Sequence, residues 1–197
     1  MASQSGLGGK GAVRRLVAGI DDQGCTRILA DGPAPRRLIH RSSGLDMVDL
    51  WATDMVPPRC DRDDADPSLT PHRYFPGPGG TRFLINRIPS AAQRRALAAA
   101  ASPQDDINFF AQVPGMAETF ERDGGGMHRS PTIDYGLILD GAIDLELDDG
   151  VVTRLYAGDS YVLEAARHHW HPLEDSGCTI AVVLVGADSD SVAARLA

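Results

Sequence analysis

GGGMHRSPTIDYGLILDG, residues 124–141, and GDSYVLEAARHHWHP, residues 158–172, bracket the stretch that decides the fold. Between them lies AIDLELDDGVVTRLYA, and the whole holds four of the chain's six histidines. Turn dipeptides stand at Asp140-Gly141, Asp149-Gly150 and Gly158-Asp159, a spacing that suits short antiparallel strands. Ile143, Leu145 and Leu147 alternate with Asp144, Glu146 and Asp148, so one face is buried and the other wet. Evenly spaced short strands with turn signals predict an all-β sandwich or barrel, and a jelly roll closes such a sheet with little exposed edge.

Working outward, the N-terminal side continues the strand pattern. RRLVAGI and CTRILADG read as two strands around a polar turn at Asp21 to Gly24, followed by RRLIH from Arg36 and DMVDLWATD from Asp46. Met47, Leu50 and Trp51 are the expected core members there. Six prolines, the acidic run DRDDAD and PGPGG between Val56 and Gly80 exclude helix and central strand and predict a long irregular loop. An EF-hand beginning at Asp61 would need Gly and Glu where Asp66 and His72 stand, so a solvated acidic loop is expected instead. TRFLINRIP returns to strand.

Ser90 and Gln93 form a capping box that opens the one clear helix, and Ser102-Pro103 stops it. INFFAQVPGMAETF carries Phe109, Phe110, Met116 and Phe120 without a clean period; it reads as core packing or as a plug over a barrel mouth. Residues 1–12 read as a loose tail, 13–121 as N-terminal strands, long loop and helical insert, 122–187 as the barrel core, and 188–197 as a short final helix capped by Asp188 or Asp190. The chain is expected to form one domain.

With 43% hydrophobic and 23% charged residues the composition is that of a globular protein. The longest apolar run, CTIAVVLVGA from Cys178, is too short to cross a bilayer and reads as a buried strand. No apolar signal core stands in MASQSGLGGKGAVRR, so a cytoplasmic location is expected. A net charge of −8, with the basic residues scattered, disfavours nucleic acid and anionic membranes as partners. Cys25, Cys60 and Cys178 are too widely spaced for a disulfide framework or zinc cluster.

His128, Ser130 and Asp134 share parity, but six residues of strand span about 20 Å. For one ion to bind both ends, Pro131 must interrupt the ladder and let the chain fold back, placing His128 and Asp134 on neighbouring strands. HHWH, from His168, is the remaining histidine-rich segment. Adjacent residues on a strand point to opposite faces, so only one of His168 and His169 should be a ligand. Two histidines and one carboxylate with open positions hold non-haem Fe(II) for oxygen chemistry, and accept Zn, Mn or Ni as well.

These residues resemble the cupin superfamily, whose first motif is G(X)5HXH(X)3-4E(X)6G and second G(X)5PXG(X)2H(X)3N. His128 matches the first histidine, Asp134 stands at the glutamate, Gly141 follows six residues later, and Gly158 opens the second motif. Strict counting puts the second-motif histidine at His169. The chain also resembles a subgroup of small bacterial and fungal cupins reading H-R-T-x-T-x-D-Y and G-T-x-H-A-W; aligned on Trp170, the histidine is His168. Ser130 replaces the second histidine of the first motif, Asp134 replaces Glu, Glu164 and Ala166 replace Pro and Gly, and Pro172 or Leu173 stands where Asn is expected.

The resemblance implies a double-stranded β-helix carrying extra N-terminal strands and one or two short helices, and a homodimer formed through the early strands. It implies a metal-dependent enzyme acting on a small oxygenated organic molecule such as a keto acid, phenol or polyketide-like compound. Its ligands would be His128, Asp134 and His168 or His169 around a divalent metal. Oxygenase chemistry is favoured, with a lyase or isomerase using the metal as Lewis acid as the alternative, and a non-catalytic small-molecule-binding barrel as a further one. Asp134, Tyr135 and Ser130 are the candidate catalytic residues, Ser130 holding a water or substrate oxygen and Tyr135 serving as pocket wall. No organic cofactor is expected.

Overall fold

The computed structural model describes residues 11–54, 56–59, 66–69, 71–122, 126–188 and 190. The expected final helix and Cys60 lie outside these residues. Ten strands dominate: β1 (Arg14–Ile20), β2 (Thr26–Pro33), β3 (Arg36–Ile39), β4 (Asp46–Thr53), β5 (Thr81–Ile88), β6 (Thr132–Glu146), β7 (Val152–Tyr156), β8 (Ser160–Glu164), β9 (His169–Pro172) and β10 (Cys178–Gly186). Two helices, α1 (Ala91–Ala100) and α2 (Pro103–Phe110), join β5 to the second half. The all-β expectation holds.

β6 organises the barrel. Its first part pairs with β10 on one edge and β8 on the other; its last residues pair with β9 and β7. One sheet therefore runs β3-β4-β5-β10-β6-β8, and β6 carries the chain on into a second with β7 and β9. Asp140-Gly141 is thus not the hairpin turn that its dipeptide suggests. The strand runs through it with a register shift opposite Thr179 and Ile180, and Gly141 takes φ 74°. A Cβ there would lie 2.0 Å from the carbonyl oxygen of Gly177, so only glycine permits this bulge, which bends β6 between sheets.

Gly158-Asp159 is likewise a jog rather than a hairpin, because β7 and β8 both lie along β6 and not against each other. Asp149-Gly150 does turn a hairpin. Both residues have positive φ and Val151 N–H donates to Asp148 across them, the geometry that matches strand twist.

Ile143 and Leu145 are buried, as their alternation predicts, and Ile143 joins Met47, Leu84, Ile138 and the inward residues of β10 in the core between the sheets. Leu50 is buried in a second cluster with Val48 and Ile85. Trp51 departs from the core expectation. A bulge between Asp49 and Trp51 resets the parity of β4, and Trp51 pairs with the exposed Phe83 and lies 5.8 Å from the Arg15 guanidinium.

β1 and β2 form a separate hairpin. Arg15 anchors it, donating to Leu50 O, Ser68 Oγ and the Asp66 carboxylate. Burial pushes the Asp66 carboxyl upward, but the bonds from Arg15 and Ser68 bring it down to about 2. The described end of the acidic run is therefore a docked ion pair, not a solvated residue.

The capping box at Ser90 and Gln93 is formed. Ser102-Pro103 ends α1 and also begins α2, with Pro103 in the first turn and Asp105 accepting from Ser102 N–H. Proline suits that position because its missing N–H would be unpaired anyway. The aperiodic aromatic segment is thus partly helical, and Phe109 joins the core.

Candidate functional site

Between the sheets and beneath α2 lies a cavity of about 320 Å³, within the range of small-molecule sites. Phe110, Met116, Phe120 and Trp170 supply apolar wall. The polar groups include His128, Ser130, Asp134, Tyr161, His168 and His169 from the two motif stretches, with Tyr74, Asn86 and Arg94 from elsewhere. The segment read as core or plug does both jobs, Phe109 packing inward and the other aromatics closing the cavity.

His128 and His168 face each other in an isolated bridge. Each backbone N–H donates to the other's carbonyl, at 3.0 and 2.9 Å, and the rings lie 4.2 Å apart. Nδ1 of His128 bonds Gly126 O at 3.1 Å and Nδ1 of His168 bonds Ala166 O at 2.8 Å. A carbonyl accepts only, so both Nδ1 atoms carry the proton and both Nε2 atoms are left with a lone pair. Burial lowers both imidazoles, and the neighbouring His128 helps push His168 down to about 4.

Asp134 is 7% exposed. It accepts from Thr132 Oγ1 at 2.5 Å and Ser130 Oγ at 3.5 Å. Burial pushes its carboxyl up to about 6 against those two bonds, because desolvation penalises the charged form. Burial also raises Tyr74 and Tyr161, as does the Asp134 charge, so both phenols stay protonated. Gly136 pairs with Tyr161, and a Cβ there would lie 2.0 Å from its ring. The missing side chain lets Tyr161 lie across β6 toward Trp170, 5.0 Å between ring centroids.

The fold-back at Pro131 is not made. His128 pairs with His168, Ala165 N–H donates to Thr132 O, and Ile133 pairs with Glu164, so the chain runs on past the proline along one antiparallel partner. The positive φ of Ala165 absorbs the irregularity. Asp134 therefore lies well down the strand from His128, and the three side chains do not converge within 4.8 Å. The two imidazoles fit a metal, since both Nε2 atoms are free and both Nδ1 atoms are fixed by carbonyls. Asp134 is not within 4.8 Å of both imidazoles as the side chains stand.

Tyr135 is corrected outright. As Asp134 faces in, its neighbour faces out; Tyr135 is 50% exposed on the outer sheet face beside Val162 and Val183 and is not pocket wall. Of the two adjacent histidines, His168 is buried and lies beside Trp170. His169 lies 4.0 Å from the His171 ring and also lines the cavity. Glu146 lies across from His169 and bonds His171. Glu146 and His171 were missed as site residues, although His-x-His on one strand face was visible in HHWH.

A stretch of 51 residues is 37% identical to the cupin-domain-containing oxidoreductase virC of Hypocrea virens, covering 26% of this chain and 26% of that one. In that stretch the chain is similar to cupin-domain proteins. A 51-residue stretch is also 49% identical to the phomopsin biosynthesis cluster protein D of Diaporthe leptostromiformis, covering 25% of this chain and 27% of its relative. The chain thus matches about a quarter of the length of these curated relatives. No family model matches it. Among solved structures, the Schizosaccharomyces pombe Cnp3 cupin domain superposes with a TM-score of 0.44 at 8% identity over 92% of this chain and 93% of that one. Among the described residues no helix is long and apolar enough to cross a membrane.

Proposed function

We propose that this protein is a cupin enzyme that binds a small oxygenated organic molecule, such as a keto acid, phenol or polyketide-like compound, in the barrel cavity and moves a proton at Asp134. The observation that carries this reading is the buried Asp134 carboxyl at about 6 in the cavity wall. A carboxyl in that range both takes and returns a proton near neutral pH. The carboxylate would take a proton from carbon next to a carbonyl and return it to another atom of the same molecule, an isomerisation.

The protonated hydroxyls of Tyr74 and Tyr161 suit hydrogen bonding to the substrate oxygen on which charge develops. Ser130, beside Asp134, holds the carboxylate and a substrate or water oxygen. The neutral His128 and His168 would hold a divalent metal, Fe, Zn, Mn or Ni, through Nε2, and such an ion would polarise a carbonyl oxygen. The aromatic wall excludes water from the cavity.

Deuterium exchange tests this. Candidate keto acids and phenols are incubated with the protein in D2O and followed by proton NMR. Exchange at the carbon next to the carbonyl, lost by more than about 100-fold in Asp134→Asn, is expected; exchange equal in the wild type and the variant would refute the role of Asp134.

Oxygenase chemistry is the second reading, supported by the oxidoreductase name of a relative. Oxygen uptake in step with substrate loss separates it from proton transfer.

A further inference from the structure

We propose that Glu146, His169 and His171 form a second divalent transition-metal site, at the rim of the cavity and separate from the His128–His168 pair. Among the described residues these three are the group of histidine, cysteine and acidic side chains whose ligand atoms all lie within 4.8 Å of one another. Two nitrogens and one carboxylate oxygen suit Zn²⁺, Co²⁺, Ni²⁺ or Fe²⁺.

The backbone builds the group. His169 and His171 are two apart on β9 and so share a face, while Glu146 stands opposite His169 on β6. His171 Nε2 lies 2.5 Å from Glu146 Oε2, and the histidine rings are 4.0 Å apart. Donors in a tetrahedral zinc site stand about 3.4 Å apart, given bonds of about 2.1 Å. Side-chain rotation would have to open the His171–Glu146 contact toward that spacing, and all three residues are only half-buried, which leaves room to turn.

Three protein ligands leave a coordination position open. Because His169 also lines the cavity, that position borders the space a bound molecule would enter. The surrounding charges are mixed. Asp144, across from His171, is held by Arg154, and Arg94 lies near His169. Glu146 supplies the negative charge that offsets the dication. Without a metal His171 Nε2 hydrogen-bonds the Glu146 carboxylate, so binding would replace the proton of that bond with the ion.

Cobalt titration decides the matter. Metal-free protein carrying no histidine tag is titrated with Co²⁺ and followed by visible absorption, with circular dichroism as the fold check. The double variant His128→Ala, His168→Ala isolates the rim site; it is expected to bind one Co²⁺ per chain with ligand-field bands. In the same background His171→Ala and Glu146→Gln should each weaken binding by at least about 100-fold, since even outer-shell partners cost 10–100-fold. Should His171→Ala fail the fold check, Glu146→Gln, which keeps the side-chain shape, decides alone. No Co²⁺ bound by the double variant, or binding unchanged by Glu146→Gln, would overturn the proposal.

Discussion

His128 and His168 grip each other by backbone and by ring: two reciprocal N–H to O=C bonds of 3.0 and 2.9 Å hold imidazoles whose centroids are 4.2 Å apart. Each ring is turned by a carbonyl two residues earlier in its own chain segment. The pair is therefore set by main-chain geometry, and it joins the two sequence motifs at a single point of the cavity wall.

Asp134→Asn should stabilise the protein while removing proton transfer. Because the folded carboxyl sits at about 6, above an ordinary aspartate, its ionisation opposes folding: stability is lost as pH rises from about 4 to 6 and stays lost above. A shift of about two units corresponds to about 3 kcal/mol. Urea denaturation at pH 8 should show the variant more stable by that order, and the gap should vanish at pH 4.

His168→Gln probes the opposite sign. The wild-type imidazole stays neutral in the fold down to about 4, whereas the unfolded chain takes up the proton near pH 6.5. Its contribution is present above pH 6.5 and lost as pH falls through 4. Metal-free wild type should therefore lose about 3 kcal/mol relative to His168→Gln between pH 7 and 4. Since Asp134 acts in the other direction over part of this range, the single variants separate effects that the wild-type profile mixes.

Gly141→Ala and Gly136→Ala should fail differently. The first sets a Cβ against the backbone oxygen of Gly177 at positive φ, with nothing flexible to yield; a loss above about 3 kcal/mol and poor recovery of folded protein are expected. The second meets the Tyr161 ring, which can swing away. A loss of about 1–3 kcal/mol in denaturation is expected, with the cavity rather than the fold disturbed.

The β1–β2 hairpin bears on assembly. Leu16, Ile20 and Ile28 are more than half exposed on one face of it, which supports pairing of two copies through the early strands. Light scattering should report a dimer, and Ile28→Glu should shift it toward the monomer; a wild-type monomer at micromolar concentration would refute the pairing.

Much of this was legible in the sequence wherever one strand face is buried. Ile143 and Leu145, the run at Cys178 and the Ser90 capping box carry local signals that tertiary packing reinforces. Asp140-Gly141 and Gly158-Asp159 misled, because the same dipeptide serves a hairpin or a bulge and only the partner strand decides which. The same alternation that turns Asp134 inward places Tyr135, one residue on, outside. The course of the chain at Pro131 depended on pairing with residues 164–168, far off in sequence, and that pairing keeps Asp134 from the histidines. Glu146 and His171 meet only because β9 aligns with the end of β6.

The most direct test of the proton-transfer role is the titration of Asp134 itself, followed through its carboxyl carbon by 13C NMR in metal-free protein and assigned with Asp134→Asn. A midpoint near 6 is expected. A midpoint at or below 4 would mean a permanently ionised carboxylate at neutral pH, and would contradict Asp134 as the group that takes and returns the proton.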